Sequence, residues 1–233
     1  MRWMMMVLQA GILHLTLIHI GGSPMPVLDD YRWPAKGDRL FPRETDEDLM
    51  TNACLNFTRC DAVYPYGVGY RKAGEILLQW VLSEQRDQDF LVYPIVFLFR
   101  HHVELMLKQI IVLAARLRED HVRFPRGHDL ASLWAQCKAR LMEVSGPETT
   151  LEVVESLVDE LGSIDPGSDS FRYHLDGLGR PTLPGITHIN LHHFALVMDG
   201  LTNFLDACHT QLTEENRWKE ESQRFQVWDG GTA

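Results

Sequence analysis

Between Phe90 and Leu117 the chain is apolar almost throughout, yet it carries Arg100, His101, His102, Glu104, Lys108 and Gln109. Polar groups in so oily a segment need partners, because an unpaired buried charge costs several kcal/mol. On a helix, at about 100° per residue, Arg100, Glu104, Lys108 and His101 share one contiguous stripe, while His102 and Gln109 fall on the far side. Glu104 is then within reach of Arg100 and Lys108 at i±4 and of His101 at i−3. A carboxylate bracketed by three cations has two readings. It is either a salt-bridge ladder, or the wall of a cleft for a phosphate or nucleotide. In the cleft, Arg100 and Lys108 would hold the anion and His101 would act as acid, base or hydrogen-bond donor.

A second group, Phe171-Arg172-Tyr173-His174, follows the turn-rich run Asp165-Pro166-Gly167-Ser168-Asp169-Ser170. The planar guanidinium of Arg172 suits bidentate binding of carboxylate or phosphate, with Tyr173 beside it and Phe171 as buried anchor. The plainer alternative pairs Arg172 with Glu104 or with an aspartate of its own loop. His128 is a substrate contact if the stripe is a cleft; otherwise His128-Asp129 simply starts a helix, with Asp129 at its N-cap. His192 and His193 read as packing or surface residues.

These groups need helices to position them. Ala73, Ile76, Leu77, Trp80 and Val81 recur at three and four residues within 68–84, the period of an amphipathic helix. The segment 90–117 predicts a long central helix, started by Asp87 and Asp89, with Pro94 tolerated only in its opening turn. Helices resume at Leu130, ending at Gly146-Pro147, and from Glu148 to Leu161. The last runs from about His188 to Leu212. Gly177-Leu178-Gly179 marks a short β-hairpin or ordered loop. The expected fold is all-α, a bundle of four to five main helices with one such insertion.

Residues 25–66 are broken by Pro26, Pro34, Pro42 and Pro65 and read as an extended arm, with one short helix around Asp46 to Phe57. The helical domain spans 67–212, and 213–233 form a charged tail. Residues 1–24 hold an apolar run, Trp3 to Ile20, interrupted by Gln9, His14, Thr16 and His19. It has three readings: an extension upstream of a start at Met25, a secretory or membrane segment, or a structured helix. The first favours a cytoplasmic protein without stable membrane insertion.

The 233 residues carry 22 Lys and Arg against 32 Asp and Glu, a net charge of −10, which excludes a uniformly basic nucleic-acid coat. A local basic cleft remains open, since screening confines charge effects to about 10 Å. Cys54, Cys60, Cys137 and Cys208 form no CxxC pair and no zinc-ligand spacing, so they read as thiols of a reducing compartment, with no structural metal and no cofactor expected.

In order along the chain, Arg100-His101-x-x-Glu104-Leu105-x-Leu107-Lys108, Gly127-His128-Asp129-Leu130, Asp165-Pro166 and Phe171-Arg172-Tyr173 resemble the HEPN superfamily of prokaryotic helical-bundle proteins over residues 68 to 210. The resemblance implies an all-α homodimer and a metal-independent ribonuclease, or an effector derived from one, in toxin–antitoxin or phage-defence systems, with an antitoxin or defence partner protein. The family's catalytic signature, Arg and then His after four to six residues near the start of a late helix, is missing: Arg172 to His174 is too short and Arg180 to His188 too long. Arg116 to His121 and Arg123 to His128 have the spacing but lie in the wrong connection. If the chain cuts RNA, His101 or His174 carries the proton while Arg172 and Arg100 stabilise the phosphorane. The ribose 2′-hydroxyl attacks and leaves a cyclic phosphate. The alternative is a non-catalytic helical module that binds a nucleotide, a nucleic acid or a partner protein.

Overall fold

The computed structural model describes residues 33–41, 53–55, 63–121, 123–145 and 149–229. The chain divides into two units, Met1–Cys54 and Leu55–Ala233. In the first, the described residues hold one turn: the Ala35 N–H donates to the Asp38 carboxylate at 2.8 Å, and the Asp38 N–H donates to the Ala35 carbonyl at 3.1 Å. The apolar run Trp3–Ile20 and nearly all of the expected helix at Asp46–Phe57 lie outside the described residues.

The second unit is an all-α bundle: α1 (Tyr64–Glu84), α2 (Gln88–Leu117), α3 (Leu130–Ser145), α4 (Thr150–Ile164) and α5 (Leu191–Asp229). Helix α2 is its axis, packed by α1, α3 and α5, with α4 against α3. Ile95, Val103, Met106, Leu107 and Ile110 are fully buried along it. Among the described residues α2 is the one helix long and apolar enough to cross a membrane; in the bundle its apolar side chains pack against those of the neighbouring helices.

Helix α1 begins at Tyr64, earlier than expected, because Pro65 fits a first turn, where its missing N–H is not needed. Its buried face also differs from the one its apolar residues predict. Gly67, Gly74, Leu78 and Val81 turn inward, whereas Ile76 and Trp80 are 48% and 42% exposed. The cause is close approach. A Cβ on Gly74 would stand 2.8 Å from the Phe99 ring, so Gly74 lets the α1 backbone lie against α2. Arg71 ties α1 to α5, donating to Asp206 and to Asn203 (2.9 Å) as well as to Glu75 (2.7 Å).

Helix α2 starts at Gln88, which puts Pro94 in its second turn rather than the opening one. The Phe90 carbonyl thereby loses its usual i+4 donor, at a residue that is 76% exposed and so open to water. Asp129 caps α3 as expected, accepting from the Ala131 N–H at 3.2 Å. Leu151, Val154, Val158 and Leu161 form the buried stripe of α4.

Among the described residues the insertion contains no strand, only an isolated antiparallel bridge, Leu175 to Pro181. Pro181 has no N–H to extend a ladder. The turn is held instead by the Asp176 carboxylate, which accepts from the N–H groups of Leu178 (2.8 Å) and Arg180 (2.9 Å).

Helix α5 starts after Asn190, whose side-chain oxygen accepts from the His193 N–H at 3.0 Å, and it runs on through the expected tail to Asp229. Polar anchors replace apolar ones in that extension. Asn216 donates to the Leu113 carbonyl at 3.0 Å and Lys219 to the Leu117 carbonyl at 2.7 Å, closing the C-terminal end of α2.

Candidate functional site

The stripe on α2 separates into two sites. The first is a closed ionic network in the interior. Arg100 is fully buried, and it spends its guanidinium on three elements. Nη1 donates to Glu104 at 2.8 Å, Nη2 to the His128 carbonyl at 2.6 Å, and Nε to the Asp165 carbonyl at 3.1 Å, with the Asp165 carboxylate at 3.2 Å. Glu104, also buried, accepts from Lys108 at 2.8 Å through its other oxygen. His128 Nδ1 stands 3.0 Å from the same carboxylate, and its ring is largely exposed. Burial pushes the Glu104 carboxyl up, but hydrogen bonds from Lys108 and Arg100 more than offset this and hold it below its ordinary value.

This is the ladder geometry. Arg100, Glu104 and Lys108 meet as their i±4 spacing requires, but all three are buried and aimed at one another. The third partner is His128 and not His101. The Asp165 carboxylate, which sequence reasoning assigned no role, accepts from the Asp169 and Ser170 N–H groups at 2.8 and 2.9 Å. The loop start is thus fastened to α2 through Arg100. The run from Asp165 to Ser170 read as a turn, but nothing local pointed to Arg100.

The second site is a half-exposed platform. His101 turns to rings: it meets Tyr70 of α1 edge-on at 4.4 Å and stacks on Phe97 at 5.8 Å, ring centre to ring centre. Its Nδ1 is buried with no hydrogen-bond partner among the described residues. Burial lowers its pKa, Glu104 partly opposing this and Arg100 adding to it, so the ring is mainly neutral at pH 7. Arg172 reaches the same ring, its guanidinium carbon 5.5 Å from the centre of Phe97 and 5.3 Å from that of Tyr173. Its Nε donates to the Ser168 carbonyl at 2.5 Å. Arg172 therefore pairs neither with Glu104 nor with an aspartate of its loop, and Tyr173 beside it is 59% exposed.

His174 is exposed and engaged through its carbonyl, which accepts from the Thr182 N–H at 3.3 Å; no side-chain contact brings it to either site among the described residues. Phe171 is buried, as an anchor should be. Phe97 was missed as a site residue, although its position four before His101 puts both on one helical face. Tyr70 had no such signal, since it arrives from another helix. Among the described residues no group of three His, Cys, Asp or Glu side chains could hold a metal ion. Comparison with family models, curated proteins and solved structures finds no match for this chain.

Proposed function

We propose that this chain is a helical module that binds a nucleotide base, free or within a single strand, on the platform of Tyr70, Phe97, His101, Arg172 and Tyr173. The observation that carries the reading is the Arg172 guanidinium lying against both Phe97 and Tyr173 on an exposed face. Flat aromatic and guanidinium groups stack bases without needing their sequence, and the cation meets the adjoining phosphate. One local cation suffices in a chain of net charge −10. The resemblance to HEPN proteins agrees with an RNA-linked role and remains part of this proposal.

The ribonuclease reading is supported by one observation, the largely neutral, half-buried imidazole of His101 beside the ring that Arg172 covers. A neutral imidazole can take the 2′-hydroxyl proton, and Arg172 can stabilise the phosphorane charge. Arg100 is spent on the interior and does not share this task.

Calorimetric titration of the full chain with AMP, UMP and a short single-stranded RNA tests binding. Saturation is expected, with Arg172→Ala weakening it by about fivefold to a hundredfold, the worth of one stacked base. Heat of dilution alone, or unchanged affinity in Arg172→Ala, refutes the reading. The same RNA incubated with EDTA separates the two functions: fragments ending in cyclic phosphate, lost in His101→Asn, identify the nuclease, while intact RNA identifies the binding module.

A further inference from the structure

A second opening shares none of the platform's residues. It is a cavity of about 360 Å³ between α2, α4, the insertion and the start of α5. Its inner wall includes Leu161, Phe171, Met198 and Leu201, all buried in the core. Its polar lining residues, Glu160, His188, Asn190 and His193, are all exposed and so belong to the mouth. An apolar interior with few polar groups at the entrance is the layout of a small-molecule site, and the volume falls in the lower part of the roughly 300–1,000 Å³ range of such sites.

The mouth sets the kind of head group. The Asn190 side-chain oxygen is spent on the His193 N–H, which leaves its amide N–H₂ as a donor. His188 Nδ1 is engaged with the Thr187 hydroxyl at 3.0 Å, leaving Nε2 for an outside partner. The mouth thus offers the Asn190 amide N–H₂, two imidazoles that can each present an N–H in the matching tautomer, and one carboxylate, that of Glu160.

We propose that this cavity binds an amphipathic monocarboxylate of medium length, its hydrocarbon tail among Leu161, Phe171, Met198 and Leu201 and its carboxylate at the imidazoles and amide of the mouth.

The test is calorimetry of the full chain with hexanoate, octanoate, decanoate and the matching alcohols. One-to-one binding is expected, tightening about fourfold with each methylene added until the cavity is full. Val197 lines the cavity and is half-buried; Val197→Phe fills it from the side and should weaken decanoate by about tenfold or more. Replacing the exposed His188 and His193 with alanine leaves the core untouched. It should weaken decanoate and not decanol. Absence of saturable binding, binding unchanged by Val197→Phe in a variant that melts like wild type, or equal loss of acid and alcohol in the histidine variant each overturns the proposal. None of these outcomes bears on the nucleotide platform, which uses a different ligand and different residues.

Discussion

Replacing Arg100 with methionine should cost this bundle a large share of its stability. The side chain is fully buried and joins three elements: Glu104 in its own helix, the His128 carbonyl before α3, and Asp165 after α4. Methionine matches its apolar stem but supplies no donor. Glu104 keeps Lys108 and His128, whereas Asp165, fully buried, keeps only backbone donors for its carboxylate. Removing one member of a buried ion pair costs about 3–5 kcal/mol; the part-buried His128 carbonyl loses its Arg100 donor, at up to about 1–3 kcal/mol, while the Asp165 carbonyl keeps the Ser168 N–H at 3.4 Å. Neighbouring losses overlap, so about 4–5 kcal/mol is expected, against about 5–15 kcal/mol for a whole domain. With a urea slope of about 1–3 kcal/mol per molar, the midpoint falls by about 2 M. Equilibrium urea unfolding followed by far-ultraviolet circular dichroism reads this directly. Arg100→Lys restores the charge but not the three-way fork, so it should recover less than half of the loss. A methionine variant within about 1 kcal/mol of wild type, on that same urea measurement, would show the network to be incidental and refute the reasoning.

His102 supplies a pH prediction. It is fully buried, with Nδ1–H donating to the Gly67 carbonyl at 2.9 Å; burial lowers its pKa below 6.5, the Gly67 bond opposing. The unfolded chain therefore takes up the proton first, and stability falls as pH drops below about 6.5, by up to about 1.4 kcal/mol per pH unit. His102→Gln should flatten that limb of a stability–pH curve measured in urea; an unchanged slope counts against it. The two inward glycines of α1 should respond with opposite signs. Gly74→Ala forces a methyl to 2.8 Å from Phe99 and should cost about 1–3 kcal/mol, whereas Gly67→Ala meets nothing closer than 3.5 Å and should gain about 0.5–1 kcal/mol of helix propensity. Thermal melts of both variants check the pair, and a Gly74→Ala protein as stable as wild type would contradict the close approach. Burial raises the Cys137 thiol well above its ordinary pKa, so a thiol reagent should modify it only on unfolding. Peptide mapping after native labelling measures this, and rapid modification of Cys137 would contradict its burial.

Much of the bundle was legible because helical contacts are local. Residues three and four apart must meet on a helix, so the buried stripes of α2, α3 and α4 and the Arg100–Glu104–Lys108 ladder all follow from spacing. Asp129 as a cap is local in the same way. The face of α1 was misread because counting apolar side chains overlooks glycines, whose value is the backbone approach they permit. The length of α5 was misread because Asn216 and Lys219 hold it through carbonyls of α2 about a hundred residues earlier in the chain.

The site shows the same division. Which ionisable groups shared a stripe was readable from one segment, but which of them stayed open to solvent was not. His101 lies only about 20° beyond Lys108 on the helical projection, yet one faces the rings of Tyr70 and Phe97 and the other the interior carboxylate. That outcome depends on where α1 crosses α2 and where the loop after α4 lands. Asp165 reaches Arg100 and Arg172 reaches Phe97 across separations of 65 and 75 residues. A periodicity of 3.6 residues orders neighbours along one rod; contacts between rods arise from packing the whole chain at once, and no single segment carries them.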